Sequence, residues 1–135
     1  MRITPITKVR EVYSDLTKDL FRNPVNSDIT RKTNEEAVKE AIKNLILTDR
    51  GERLMQPNIG GDVRRMLFEN WMPGTIRVVE EKIRNVIETY EPRADLLDIS
   101  VIGLPDSNSA QINITFAINM VENPISFSVV VERIR

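Results

Sequence analysis

Gln111-Ile112-Asn113-Ile114-Thr115-Phe116-Ala117-Ile118-Asn119-Met120 is the stretch that decides the fold. Ile112, Ile114, Phe116, Ile118 and Met120 take alternate positions, with Gln111, Asn113, Thr115, Ala117 and Asn119 between them. Successive strand side chains point to opposite faces, so this is a strand with one face buried. Before it, Leu97, Ile99 and Val101 alternate with Asp98 and Ser100, and residues 105–109 supply turn chemistry. After it, Glu122-Asn123-Pro124 makes a second turn, and Ile125, Phe127, Val129 and Val131 alternate with Ser126 and Ser128 in a third strand. Consecutive strands with short turns imply an antiparallel meander, one face of which helices can cover.

Upstream the period is helical. Thr33 and Glu36 have capping-box spacing, which starts a helix at Thr33 with Val38, Ala41, Ile42, Leu45 and Ile46 on one face and Gly51 as its stop. Asp62 is placed to cap a second, shorter helix that buries Val63, Met66 and Leu67 and ends near Pro73. A third helix starts after Thr75, with Ile76, Val79, Ile83, Val86, Ile87 and Tyr90 on its buried face. Arg77–Glu81 and Glu80–Arg84 are its expected charge pairs, and it stops before Pro92. Residues 1–32 form a polar arm, in which Ile29-Thr30 is a short strand or extended segment and Asn23-Pro24 a turn. This arm is short of periodic apolar residues and is expected to order on binding. The fold class is therefore α+β: an arm at 1–32, then one domain at 33–135 with about three helices packed on a small antiparallel sheet.

A chain of 135 residues, 41% hydrophobic and 29% charged, has the composition of a folded domain with one core. Its 19 basic and 20 acidic residues are dispersed, with a net charge of -1, which argues against a nucleic-acid binder relying on a basic face. There is no cysteine, so disulfides and thiolate metal sites are excluded and synthesis in a reducing compartment is compatible. The first 18 residues lack a signal-peptide apolar region, and no apolar run approaches the ~20 residues of a membrane span.

Catalytic equipment is sparse. Without histidine or cysteine the chain lacks the commonest general base, the commonest transition-metal ligand and the strongest neutral-pH nucleophile. Gly60-Gly61 precedes a helix but has neither a strand before it nor a P-loop lysine, so it reads better as a loop that needs special backbone angles. A carboxylate pair, as in glycoside hydrolysis, remains conceivable. Glu69 beside Trp71 is the best local candidate, because an aromatic neighbour can raise a carboxyl pKa by desolvation. A solvated Glu69 and a core-edge Trp71 are the stronger reading. No catalytic residue, metal or cofactor is expected.

Leu67-Phe68-Glu69-Asn70 followed by Pro73, then a helix ending in Tyr90-Glu91-Pro92-Arg93, then a Val/Ile strand, resembles the baseplate-wedge, sheath-initiator family of contractile phage tails and its type VI secretion relatives. The likeness runs over about residues 36–131, with Leu47-Thr48-Asp49-Arg50-Gly51-Glu52-Arg53 and the Asn123-Pro124 turn inside it, and Tyr13-Ser14-Asp15-Leu16 is similar as well. By its chemistry alone, the triplet holds Glu91 and Arg93 on a stiff turn at Pro92. There they either clasp each other or present a planar donor fork and an acceptor to a partner.

The resemblance implies a structural protein and not an enzyme, in the virion tail baseplate after assembly in the host cytoplasm, in about six copies. Glu91, Pro92 and Arg93 would bind the helical bundle of wedge proteins. The last strand, at residues 125–135, would offer Phe127, Val129 and Val131 as an edge to which arms of the tail sheath protein add strands, with the tail tube nearby. Arg93→Ala is then expected to leave the fold intact and stop incorporation into wedges. The alternatives are a lysozyme-like cell-wall glycosidase, or a baseplate component of a type VI secretion apparatus. No nucleic acid or membrane partner is implied.

Overall fold

In a computed structural model, described over residues 11–67, 72–118 and 123–132, the period-two segments form one antiparallel meander: β3 (Ala94–Leu104), β4 (Ser109–Ile118) and β5 (Ile125–Glu132), in the order β3-β4-β5. The chain divides into two units, Met1–Ala37 and Val38–Arg135.

The described part of the first unit, up to Thr33, holds a hairpin. β1 (Ser14–Leu16) pairs antiparallel with β2 (Arg31–Thr33). The ladder continues through Thr17 N–H to Thr30 O (3.2 Å), Thr30 N–H to Phe21 O (2.8 Å) and an Arg22–Ile29 bridge. Asn23 closes the tip, where its carboxamide accepts the Val25 N–H and its backbone oxygen the Ser27 N–H. The expected lone strand at Ile29-Thr30 is thus half of a hairpin. Its residues carry no apolar alternation, because pairing here rests on main-chain bonds and turn chemistry.

α1 (Glu35–Leu47) begins two residues after Thr33, which belongs to β2. Asn34 stands at the junction with φ 49°, and its Oδ1 accepts the N–H groups of Val12 and Tyr13. Val38, Ile42, Leu45 and Ile46 are buried as the stripe requires. The helix ends with Thr48 Oγ1 on Asn44 O, and Gly51 lies beyond it in the loop, bonded to Pro57 O.

α2 (Val63–Met66) buries Val63, Met66 and Leu67, but Asp62 makes no capping bond. Asp62 has φ 51°, and its carboxylate turns back to the Arg50 N–H at 3.0 Å and to the side chains of Arg50 and Arg65. α3 (Pro73–Tyr90) starts earlier than Thr75, with Pro73 at its first turn. Proline there lacks only an N–H that would go unpaired and already has a helical φ, so it starts this helix and does not merely end the previous segment. Val79, Ile83, Val86 and Ile87 are buried. Glu80 does not pair with Arg84 as expected. It turns to the sheet, and Arg84 pairs with Glu88.

In the sheet, Ile112, Ile114, Phe116 and Ile118 are all at most 3% exposed. Phe116 meets the Phe127 ring edge-on, with centroids 5.9 Å apart. Such a ring pair adds about 0.5–1.5 kcal/mol beyond its burial. β3 departs from the expected alternation: Leu97 is 54% exposed while Ile99 and Val101 are buried. A bulge between Leu96 and Asp98 inserts Leu97 as an extra residue, and an extra residue changes which parity faces the core. Ala94 is therefore buried on one side of the bulge and Ile99 and Val101 on the other.

Candidate functional site

The turn from α3 into β3 brings the triplet together. Glu91 still donates its N–H to Ile87 O (2.8 Å), continuing the helix, while its backbone oxygen accepts the Ala94 N–H (3.2 Å) across the turn. Pro92 sits exposed between these bonds. The Glu91 carboxylate is turned inward, its side chain 5% exposed, and takes two hydrogen bonds from Arg93, Nε to Oε1 at 2.5 Å and Nη2 to Oε2 at 2.7 Å. This is the internal clasp that the residues alone left open against a partner contact. Arg93 remains 30% exposed, so the turn presents a proline ring and one flank of a guanidinium whose fork is already held. Arg93→Ala would strip the partner from a buried carboxylate, so it reports on the fold before it reports on any partner.

The edges of the sheet differ. On β3, the N–H of Val101 donates to Glu80 Oε1 of α3 at 3.1 Å and that of Ala94 to Glu91 O. On β5, no hydrogen bond among the described residues reaches outward. Val129 and Val131 place their side chains in the core, at 3% and 1% exposure, and Phe127 is half-buried against Phe116. What β5 exposes at its edge is backbone. Residues 133–135, also expected in this strand, lie outside the described residues, as do Phe68, Glu69, Asn70, Trp71, Asn119, Met120 and Glu122.

The loop between α1 and α2 holds the other unusual geometry. Gly60 has φ 138°, and a Cβ there would lie 2.5 Å from Thr48 O. Gly61 donates its N–H to the same oxygen. The glycine pair thus lets the loop close on the end of α1. Inside that closure Asp49 Oδ1 is buried without a hydrogen-bond partner. Burial first, and then the Glu52 carboxylate, hold the Asp49 pKa above its ordinary value of 3.8. A cavity of about 160 Å³ beside this loop is lined by Arg50, Asp62, Lys82, Asn85 and Tyr90, among others. Among the described residues that line it, Asp62 is the one carboxylate and is already bonded to Arg50. Those residues hold no pair of carboxyls such as a glycosidase needs. Among the described residues no acidic cluster suits a metal ion, and no helix is long and apolar enough to cross a membrane.

Residues 32–123 match the family model for baseplate wedge protein gp25, more than half of the chain. The chain belongs to that family. Baseplate wedge protein gp25 of Enterobacteria phage T4 is 30% identical over 119 residues, 88% of each chain. A chain of the anti-feeding prophage baseplate has the same fold, with a TM-score of 0.63 at 20% identity over 87% of this chain and 83% of that one. A Geobacter sulfurreducens protein provisionally described as a tail lysozyme does too, with a TM-score of 0.66 at 22% identity over 75% and 92%. Family membership makes this chain a structural component of the baseplate of contractile tails, as the motif around Glu91-Pro92-Arg93 suggested. The two structural likenesses bear on the fold alone.

Proposed function

We propose that the chain works without catalysis, as a wedge component that starts tail sheath assembly. The outer edge of β5 receives an extended segment of a sheath subunit, and the Glu91-Pro92-Arg93 turn rests on wedge helices. The observation that carries this reading is a strand edge with no pairing partner among the described residues, on a three-stranded sheet in a member of a baseplate family. An added strand supplies main-chain hydrogen bonds to just such an edge. In this reading about six copies surround the tail tube, and contraction energy comes from the sheath.

The chain has no cysteine, so a single introduced thiol reports contacts cleanly. Val130→Cys on β5, where Val130 is 53% exposed, is expected to crosslink to sheath subunits in assembling tails. Ile102→Cys on β3, at 47% exposure in the parent residue, is expected not to. Capture at Ile102 instead, or at neither position, would remove the sheath from this edge.

A further inference from the structure

The bond from Val101 N–H to Glu80 Oε1 fixes the direction of every backbone group in the sheet. Val101 faces Ile112 of β4, yet its N–H goes to α3, so it points away from β4. In antiparallel ladders residues alternate between exchanging hydrogen bonds with the facing strand and turning them outward. Ile112 therefore turns its own groups to β5, where it faces Val129. By the same alternation Phe127, Val129 and Val131 bond inward, and Ser126, Ser128, Val130 and Glu132 turn their N–H and C=O groups outward. The close approach of Thr115 Oγ1 and Ser126 Oγ, 2.9 Å, agrees with this phase, because side chains lie nearer in pairs that do not exchange backbone bonds.

Applied to β3, the alternation turns Ala94, Leu96, Ile99, Val101 and Gly103 outward. Ala94 is occupied by Glu91 O and Val101 by the Glu80 carboxylate. The bulge at Leu97 breaks the spacing between them. Bulges and charged side chains turned onto an edge are the devices by which sheets refuse a further strand. Among the described residues β5 carries neither: its outward groups run unbroken over residues 126–132, about 20 Å of strand.

We propose that Glu80 makes strand addition to this sheet one-sided. It seals the β3 edge at Val101, so that an incoming extended segment pairs only with the backbone of Ser126, Ser128, Val130 and Glu132 on β5. This deepens the reading of β5 as a strand acceptor and rests on it. The segment is the extended sheath arm of that reading, and a second copy of this chain serves as the probe for the edges.

Amide hydrogen exchange on the wild-type chain tests the seal directly. Val101 should exchange about tenfold more slowly than the outward amides of Ile99 and Gly103, the scale of one hydrogen bond to a charged group; equal rates would overturn the proposal. Sedimentation velocity on Glu80→Ala then tests one-sidedness. With both edges open, copies can add β3 to β5 head-to-tail and grow with concentration, whereas a chain with one open edge stops at a pair. Growth that Val130→Pro abolishes, by removing an outward N–H that the fold does not use, supports the proposal. A Glu80→Ala chain with the wild-type profile, or growth that survives Val130→Pro, overturns it. Should Glu80→Ala fail to fold, the exchange comparison decides alone. Because no second protein is present, Glu80→Ala growth that Val130→Pro abolishes, together with failed sheath capture at Val130→Cys, would sink the sheath reading and leave the Glu80 seal standing.

Discussion

Arg93 grips both carboxylate oxygens of Glu91, with Nε 2.5 Å from Oε1 and Nη2 2.7 Å from Oε2. The pair ties the end of α3 to the start of β3 across Pro92. Glu91 is 4% exposed, and a buried ion pair broken from one side costs about 3–5 kcal/mol, because the remaining charge is left without compensation. Arg93→Ala should therefore destabilise the isolated chain by about 3 kcal/mol in urea unfolding, and Arg93→Lys by less, since lysine keeps the charge and loses the fork. An Arg93→Ala chain as stable as the wild type would return the clasp to a surface role and Arg93 to a purely external one.

Asp49 provides a pH test. Its folded-state pKa is raised, chiefly by burial, so the folded chain holds this proton more tightly than the unfolded chain. The resulting stability is present below the unfolded pKa, about 4, and is lost as pH rises through the higher folded value. Asp49→Asn removes the buried charge. Its melting temperature should exceed that of the wild type at pH 7, and the gap should close at pH values below about 4. A gap of the same size at both ends would mean that the charge is not the cause.

Gly60 and Gly51 both have positive φ, 138° and 88°, but only Gly60 is crowded. Alanine at Gly51 meets nothing within 4 Å and should cost about 1 kcal/mol for its backbone angle. Alanine at Gly60 meets Thr48 O at 2.5 Å as well as an unfavourable angle, and should cost more, about 3 kcal/mol or above. Equal losses in chemical denaturation would show that the loop can shift away from Thr48.

Phe116 is fully buried at the centre of β4, so Phe116→Ala should cost about 3–5 kcal/mol. A double-mutant cycle with Phe127→Ala should return a coupling of about 0.5–1.5 kcal/mol for the edge-on ring pair. A coupling of zero would make the two rings independent contributors to the core.

The glycosidase alternative has a direct assay. Purified protein should leave a peptidoglycan suspension turbid. Clearing that Glu69→Gln abolishes would restore Glu69 as a catalytic carboxyl.

The sequence by itself determined the elements whose burial is periodic. Ile112, Ile114, Phe116 and Ile118 had to form a half-buried strand, and Val79, Ile83, Val86 and Ile87 one face of a helix, because a period of two or 3.6 is written directly into residue spacing. The family was legible for a related reason: Leu67-Phe68-Glu69-Asn70, Pro73 and Tyr90-Glu91-Pro92-Arg93 are short contiguous segments that stand in order before a Val/Ile strand. Tertiary structure alone decided the features that depend on contacts between residues far apart in the chain. The bulge that ejects Leu97 appears only when β3 is laid against β4. Asp62 does not cap its helix, and its carboxylate instead accepts the N–H of Arg50, 12 positions away. Glu80 looks like one half of a surface pair with Arg84 until α3 packs on β3 and brings it to Val101. Which strand is an open edge follows from this last contact, because alternation supplies the pattern of a strand but no origin for its backbone phase. One long-range hydrogen bond supplies that origin.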